Sequence, residues 1–395
     1  MELKDIVVVS ACRTPLGKFG GTLKNMPAYD IGVVAIREAL KRANITGNDI
    51  QDVILGNCRQ AGNGPNPART AAVKGGIPVN VPVETINMAC PSAMRALIHS
   101  AQEIMLGMVQ VALVGGFDSM STIPYLLKGA RWEGFGFGDK KLLDGWADSV
   151  DPLCNVGMGE TAENLYDKYK ISRQEQDQFA TESHLKAAKA QENGWFDNEI
   201  VPIEVPQKKG EPIIFSRDEG IRKDTSIEKL ALLPTVFRKG GTVTPGNACQ
   251  MSDGACAAVV MSRNKAQELG LKPLFSMVAY SLVAVEPSTM GDGPSISIPA
   301  ALDKAGMTLK DMDFIEVNEA FAIQVLANEQ VLKWDRSKLN VHGGAIALGH
   351  PTGISGLRIL ITLYNALKQQ DKEIGIAAIC GGGGVSMATI IKRED

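Results

Sequence analysis

Three side chains capable of nucleophilic chemistry stand far apart in this chain: Cys90, His350 and Cys380. A thiol that an imidazole can deprotonate is a potent nucleophile. Cys90-Pro91-Ser92-Ala93 leads into the apolar helical pattern Met94, Leu97, Ile98, Ala101, which places the cysteine at a helix N-terminus. The half positive charge there favours a thiolate and lowers the pKa from about 8.5. Taken alone, Cys90 could equally be a buried structural thiol. His350 sits in Gly343-Gly344-Ala345-Ile346-Ala347-Leu348-Gly349-His350-Pro351-Thr352-Gly353, where the glycines allow backbone and ligand to approach closely. Among the four histidines, His99 and His184 read as structural, and His342 is open to either role. Cys380 precedes Gly381-Gly382-Gly383-Gly384, a loop whose N–H groups can stabilise a developing oxyanion. No Lys-Ser/Thr follows, so a phosphate-loop reading is weak. In Asn318-Glu319-Ala320-Phe321-Ala322, the asparagine follows a strand at the end of the sheet where α/β sites form; it serves that site or caps the next helix.

These residues need elements to bring them together, and an internal repeat supplies them. Ala39-Leu40-Lys41-Arg42-Ala43-Asn44-Ile45-Thr46 matches Ala301-Leu302-Asp303-Lys304-Ala305-Gly306-Met307-Thr308 at an offset of 262. Each copy then runs into a strand ending in asparagine, at Asn57 and Asn318. Continued along the chain, the register sets Cys90 against His350, and each is followed by proline and an apolar helical pattern. Equivalent helix starts related by pseudo-symmetry can converge on the boundary between halves, bringing His350 toward Cys90 as a base. Strands alternating with helices predict a largely parallel α/β sheet in each half. The predicted units are 1–120 with 249–271, a second half over 272–395, and an insertion over 121–248. That insertion opens with Tyr125, Trp132, Phe135, Phe137 and Trp146 among glycines and carries a capping-box pattern at Ser172-x-x-Glu175. It is read as covering the site.

The chain has 395 residues, 45% hydrophobic and 22% charged, as expected of a globular protein with two or three domains. Lys plus Arg is 41 and Asp plus Glu is 44, net −3, so there is no bulk positive field to gather nucleic acid or an anionic membrane. No apolar run approaches the roughly 20 residues of a membrane span. The first residues lack a signal-peptide pattern, the last are not a peroxisomal address, and the seven cysteines show no paired metal-type spacing. A cytoplasmic protein with reduced thiols is expected.

Together, Val8 to Pro15, the Cys90 segment, Gly240-Gly241-Thr242-Val243-Thr244 to Gly254, Asn318 to Ala322, Gly344 to Gly353 and Cys380-Gly381-Gly382-Gly383 resemble the thiolase family along essentially the whole chain. The resemblance implies an α/β thiolase fold: duplicated βαβαβαββ halves, each with a mixed five-stranded sheet, layered α-β-α-β-α, with an inserted loop domain that binds coenzyme A. It also implies a homodimer or homotetramer. The implied reaction is reversible Claisen chemistry on acyl-CoA thioesters in fatty acid metabolism, with coenzyme A as substrate and product and no permanently bound cofactor or metal. By motif, Cys90 would accept the acyl group, His350 would activate it, and Cys380 would be the acid/base at the α-carbon. One oxyanion site would use His350 and a water held by Asn318, the other the N–H groups of Cys90 and Gly382. Met158 and Phe321 would line the acyl pocket, Arg222 would meet the adenine nucleotide, and Cys249 would stand at a pantetheine contact.

Four positions depart from the family pattern. Pro91 replaces a glycine after the nucleophile, and Gly157 replaces the histidine before Met158-Gly159, leaving room for a different acyl group. Cys249 followed by Gln250 replaces Ser-Gly, and His342 replaces an asparagine. The leading expectation is an acetyl-CoA acetyltransferase. The alternatives are a thiolase preferring longer or branched 3-ketoacyl-CoA, and a weakly active CoA-channelling subunit of a complex.

Overall fold

The computed structural model describes residues 2–145 and 150–395; Trp146 of the predicted aromatic loops lies outside them. The first half contains β1 (Ile6–Arg13), β2 (Asp52–Gly56), β3 (Val83–Ile86), β4 (Val111–Ser119) and β5 (Ser252–Ser262) in the order β3-β2-β4-β5-β1. β2 runs parallel to both β3 and β4, while β5 is antiparallel to β4 and β1. The second half repeats this with β6 (Phe275–Ala284), β7 (Phe314–Val317), β8 (Ile374–Gly381) and β9 (Val385–Arg393), ordered β7-β8-β9-β6. The two halves join where β1 meets β6 antiparallel, Val7 opposite Ser276 and Val8 opposite Phe275.

The fifth position of the second half is reduced to one parallel bridge, Ile315 with Leu339, where the first half pairs Val53 with Val83. Asn340 is the reason. Its side-chain oxygen accepts from Val317 N–H and its amide donates to Val317 C=O, so it occupies the groups that a longer strand would pair.

Between the strands lie α1 (Ala28–Arg42), α2 (Pro67–Gly75) and α3 (Ser92–Met105) in the first half. The excursion contributes α4 (Met158–Tyr169) and α5 (Arg173–Glu192), and the second half α6 (Gly293–Ala305), α7 (Ala322–Leu332) and α8 (Ser355–Gln369). The duplication extends to its turns: Thr46 Oγ1 bonds Asp49 Oδ2 at 2.9 Å, and Thr308 Oγ1 bonds Asp311 Oδ2 at 2.8 Å, each just before the asparagine-ended strand. The predicted capping box also forms, with Ser172 N–H donating to Glu175 at 2.7 Å to open α5.

Strand alternation sorts the core into layers, because successive side chains point to opposite faces. Val8, Ala112, Val114, Ala258 and Val260 join Ala377, Ile379 and Met387 from the other half in a central core around α3 and α8. Val7, Val9, Leu113, Ala257 and Val259 face α1 and α2 in one outer core. Ile315, Val317, Ile376 and Ile390 face α6 and α7 in the other. Fully burying a residue such as Leu97 or Leu360 stabilises by about 1.5–3 kcal/mol. The central helices meet at Gly356, where an added Cβ would lie 2.7 Å from Met94 Cβ and 2.9 Å from Met94 N, so any larger residue would push their starts apart.

Those starts are less alike than the repeat predicts. Pro91 caps α3, leaving Cys90 immediately outside it, but α8 begins at Ser355, five residues after His350. The short helix Ala345–Leu348 ends at Gly349, with φ of +112°. Asp118 then takes the Gly353 N–H and the Thr352 hydroxyl, holding Pro351–Gly353 in a turn. His350 therefore reaches the boundary on a loop, not on a helix N-terminus. Among the described residues no helix is long and apolar enough to cross a membrane.

Candidate active site

The loop bearing Cys90 is fixed from several sides. Ala89 has φ of +51°, a conformation a residue with a Cβ rarely adopts. It persists because Asn87 Oδ1 accepts from Ala89 N–H at 3.0 Å and the Ala89 carbonyl accepts from the Ser92 hydroxyl at 2.6 Å. The Ser92 oxygen in turn accepts from Met88 N–H at 2.8 Å. The end of β8 abuts this loop, since a Cβ on Gly381 would come within 2.7 Å of Pro91 Cδ. Cys380, at that strand end, is 1% exposed.

Across the boundary, His350 Nε2 stands 3.2 Å from Cys90 Sγ. Its other nitrogen, Nδ1, lies 2.7 Å from Ser355 Oγ. Ser355 has one hydroxyl proton and directs it at the Pro351 carbonyl, 2.9 Å away, so its oxygen accepts from Nδ1–H. That assignment leaves Nε2 with a bare lone pair facing the thiol, the tautomer a general base needs. The His350 backbone N–H is held by the Gln250 carbonyl at 2.9 Å, and Gln250 Nε2 donates to the Gly220 and Ile346 carbonyls.

Two buried carboxylates fasten these loops together. Asp118 accepts from Asn57 Nδ2 and Cys58 N–H on the Cys90 side and from Thr352 and Gly353 on the His350 side. Glu319 accepts from Ser183, Asn340 and the Ile346 N–H, pinning the glycine-rich segment from behind.

Electrostatics reverse one expectation. Burial pushes the Cys90 thiol up to about 11, against the Gly382 and Cys90 N–H groups and the Arg59 guanidinium, which pull it down. Burial takes the His350 imidazole down to about 3. Desolvation thus outweighs the helix-start effect, and the resting pair is thiol and neutral imidazole. At 3.2 Å, a proton on that sulfur is within reach of Nε2. Burial also raises Cys380 well above the ordinary thiol range, with Cys90 and Cys249 adding to the rise, so the three sulfurs share one neighbourhood. In His350→Ala, where no imidazole takes the proton, alkylation of Cys90 by iodoacetamide should therefore accelerate continuously from pH 6 to pH 9.5, as the thiolate fraction grows toward its midpoint. A plateau already reached below pH 7 would contradict this and show a preformed thiolate.

The other predicted residues are distributed around this centre. Asn318 is buried, does not cap α7, and has both side-chain atoms without a protein partner. Its counterpart Asn57, by contrast, donates to Phe117 C=O and Asp118. An orphaned buried amide calls for water or a ligand group. Met158 opens α4 and faces Gly382, where an added Cβ would meet its sulfur at 3.4 Å. Together with Cys90, Asp151 and Arg59 they line a cavity of about 420 Å³. Phe321 lies on another side, edge-on to Phe237 with centroids 6.2 Å apart, and is not among the residues lining that cavity.

Arg222 is exposed, and its backbone N–H donates to His184 Nδ1 at 3.1 Å. His184 is held at about 4 by burial and by Arg222, so it stays the neutral acceptor that this segment needs. His342 is buried against Trp195, centroids 4.9 Å apart, away from the Cys90 cavity. His99 lies near Glu84 and Glu103. Sequence reasoning missed Asp118, Gln250, Ser355 and the fastening role of Glu319. The one local signal was an aspartate directly after the apolar run Val111–Phe117 and still within β4.

A duplicated α/β fold that sets a base-paired thiol and a glycine loop on one cavity, with a second, buried thiol in the same neighbourhood, defines an acyl-transferring enzyme. Sequence comparison bears this out: the thiolase N-terminal domain matches residues 6–264 and the thiolase C-terminal domain residues 271–393. Acetyl-CoA acetyltransferase of Cupriavidus necator is 46% identical over 99% of this chain and 100% of its own. The crystal structure of the Bacillus anthracis acetyl-CoA acetyltransferase superposes with a TM-score of 0.96 at 43% identity, covering 99% of each chain. Human mitochondrial 3-ketoacyl-CoA thiolase in complex with CoA gives 0.94 at 40%, covering 99% of this chain and 98% of that one. The chain belongs to the thiolase family.

Proposed function

We propose that this enzyme cleaves 3-ketoacyl-CoA with coenzyme A, and in reverse condenses acyl groups with acetyl-CoA, through an acyl-Cys90 intermediate. The observation that carries the reading is the bare Nε2 of His350 at 3.2 Å from Cys90 Sγ. In cleavage, Cys90 sulfur attacks the keto carbon and its proton passes to His350. The bond between keto carbon and α-carbon breaks, its electron pair goes to the α-carbon, and the Cys380 thiol protonates that carbon to release acetyl-CoA. Incoming coenzyme A gives its proton to the Cys380 thiolate and attacks the acyl-Cys90 carbonyl. Acyl-CoA departs, and the Cys90 sulfur recovers its proton from His350. Splitting one hard transfer into two easier ones is the gain from covalent catalysis.

Oxyanion stabilisation falls to the N–H groups of Cys90 and Gly382 on one side, and to His350 with a water on Asn318 on the other. Met158 serves the acyl side and Arg222 and Cys249 the coenzyme A side, while Phe321 stands against Phe237 outside the cavity beside Cys90. We read 121–248 as a loop domain over two thiolase halves, 1–120 with 249–271 and 272–395, in a cytoplasmic homo-oligomer of fatty acid metabolism. The relatives named acetyl-CoA acetyltransferase support acetyl transfer as the leading activity. A preference for longer acyl groups is favoured by Gly157, where an added Cβ meets nothing within 4 Å.

The test is consumption of acetoacetyl-CoA in the presence of coenzyme A, repeated with 3-ketoacyl-CoA of increasing length. Turnover of at least one is expected. No turnover of any short or medium thioester would defeat the proposal.

A further inference from the structure

Two arginines are the largest side chains wholly buried among the described residues, and the protein treats them differently. Arg13 is saturated: both Asp218 oxygens and one Glu199 oxygen take its N–H groups at 2.6–2.9 Å. Arg358, on α8, has no protein partner at Nε or at either terminal nitrogen. A guanidinium carries five donors and keeps its charge in a protein, so burying one unbonded is unfavourable. Three acids bear on it. Glu199 is occupied by Arg13, Thr362 and Asn365, and Glu319 by Ser183, Asn340 and the Ile346 N–H. Burial pushes Glu316 up to about 8 although Arg358 pulls it down, so near neutral pH it leaves most of the guanidinium charge uncancelled.

The fold does not need this pair. At the offset of 262 that relates the halves, Glu316 stands against Ile54 and Arg358 against Ala96, both buried in the same central core. The first half fills these places with carbon, and exchanging a buried ion pair for apolar residues is often neutral for stability. Placement points to the site instead. Glu316 and Asn318 are two residues apart and share one face of β7 and its continuation, since Asn318 N–H still pairs with the Ala378 carbonyl. Asn318 is likewise buried with both side-chain atoms lacking a protein partner. Arg358 lies three residues after Ser355, which holds His350, and long side chains on a helix lean back over the preceding turn. Its charge is felt at His350, adding to the burial that keeps that imidazole neutral.

A cation that disfavours positive charge on the imidazole favours negative charge beside it by the same field. When an α-proton leaves for the Cys380 sulfur, its electron pair moves onto the thioester oxygen, the oxygen assigned above to His350 and the Asn318 water. Buried donors and acceptors without protein partners are bridged by ordered water. Resting on the acyl-transfer reading above, we propose that Arg358 is a positioning residue for the enolate half of the reaction. Its charge, carried through ordered water to His350 and Asn318, stabilises the enolate oxygen and serves α-proton transfer, not acylation of Cys90.

The test follows two steps in the full-length enzyme: acetylation of Cys90 by acetyl-CoA, and exchange of the acetyl methyl protons with solvent deuterium. In Arg358→Met, exchange should fall at least about tenfold, while acetylation of Cys90 keeps its wild-type rate or exceeds it. Arg358→Lys, which keeps the charge, should recover part of the exchange, and Glu316→Gln should hold it at or above wild type. Arg358→Met combined with Glu316→Leu rebuilds the apolar layer of the first half and should show the same split, which keeps the test decisive if the single variant does not fold. Equal losses in both steps, exchange unchanged without Arg358, or exchange lost alike in Glu316→Gln would overturn the inference. If wild type performs both steps and the variants lose neither, this inference alone fails. If wild type performs neither, the acyl-transfer reading fails with it.

Discussion

Replacing Cys380 by alanine is expected to leave Cys90 able to take an acetyl group from acetyl-CoA while overall turnover falls by about 10²–10⁴, the range that a positioned acid/base supplies. The separation follows from where the two sulfurs act. Acylation of Cys90 from acetyl-CoA needs Cys90 sulfur, the bare Nε2 of His350 and the N–H donors, all present without Cys380. Cleavage of a 3-ketoacyl chain also needs a proton delivered to the α-carbon, and condensation needs one removed. A buried thiol whose pKa lies well above the ordinary range holds its proton until a carbanion of comparable basicity appears beside it. Quenched samples of Cys380→Ala with acetyl-CoA should therefore carry a labelled Cys90, and exchange of the acetyl methyl protons with solvent deuterium should vanish. An unlabelled Cys90, or exchange at the wild-type rate, would reassign the second sulfur.

His350→Ala should cost acylation about 10²–10⁴ as well, for a different reason and with a different pH dependence. In wild type the thiol proton goes to an imidazole that is neutral at every pH above about 3, so the acylation rate should be nearly flat across pH 6–8. Without the imidazole, only the thiolate drawn out by solvent can react. Because burial holds the Cys90 thiol up near 11, the residual rate should then climb about tenfold per pH unit below that value. Ser355→Ala tests the tautomer: losing the acceptor at 2.7 Å from Nδ1 frees the ring to place its proton on Nε2. About a tenfold drop in acylation is expected, restored in part by Ser355→Thr. A flat profile in His350→Ala would mean that the imidazole is not the base.

Much of this arrangement was legible because it is local or repeated. The duplicated helix, Thr–Asp turn and asparagine-ended strand lie within short windows, and their offset alone set Cys90 opposite His350 across the boundary. The sequence was misleading where distant groups decide. A helix start argues for a lowered thiol pKa, yet Cys90 is enclosed by α8, β8 and the cavity wall, and desolvation wins. The same short-range rule placed His350 on a helix end, whereas Asp118, contributed by β4, holds the following turn open. Ser355 and Gln250 carry no motif of their own, and Glu319 sits in one that does not reveal its role; each matters through a bond to a segment far away or around a turn. Gln250 illustrates this, since its role emerges only when its amide is seen holding Gly220 and Ile346 while its carbonyl holds His350.

The central claim is that Cys90 becomes the acyl carrier because His350 takes its proton, and mass spectrometry of the intact and digested protein tests it most directly. Incubated with acetyl-CoA and quenched in acid, the wild-type chain should gain one acetyl group, found on the peptide bearing Cys90 and discharged by added coenzyme A, with none in Cys90→Ala. An acetyl group on Cys58, Cys249 or Cys380 instead, or an adduct that survives in Cys90→Ala, would contradict the account.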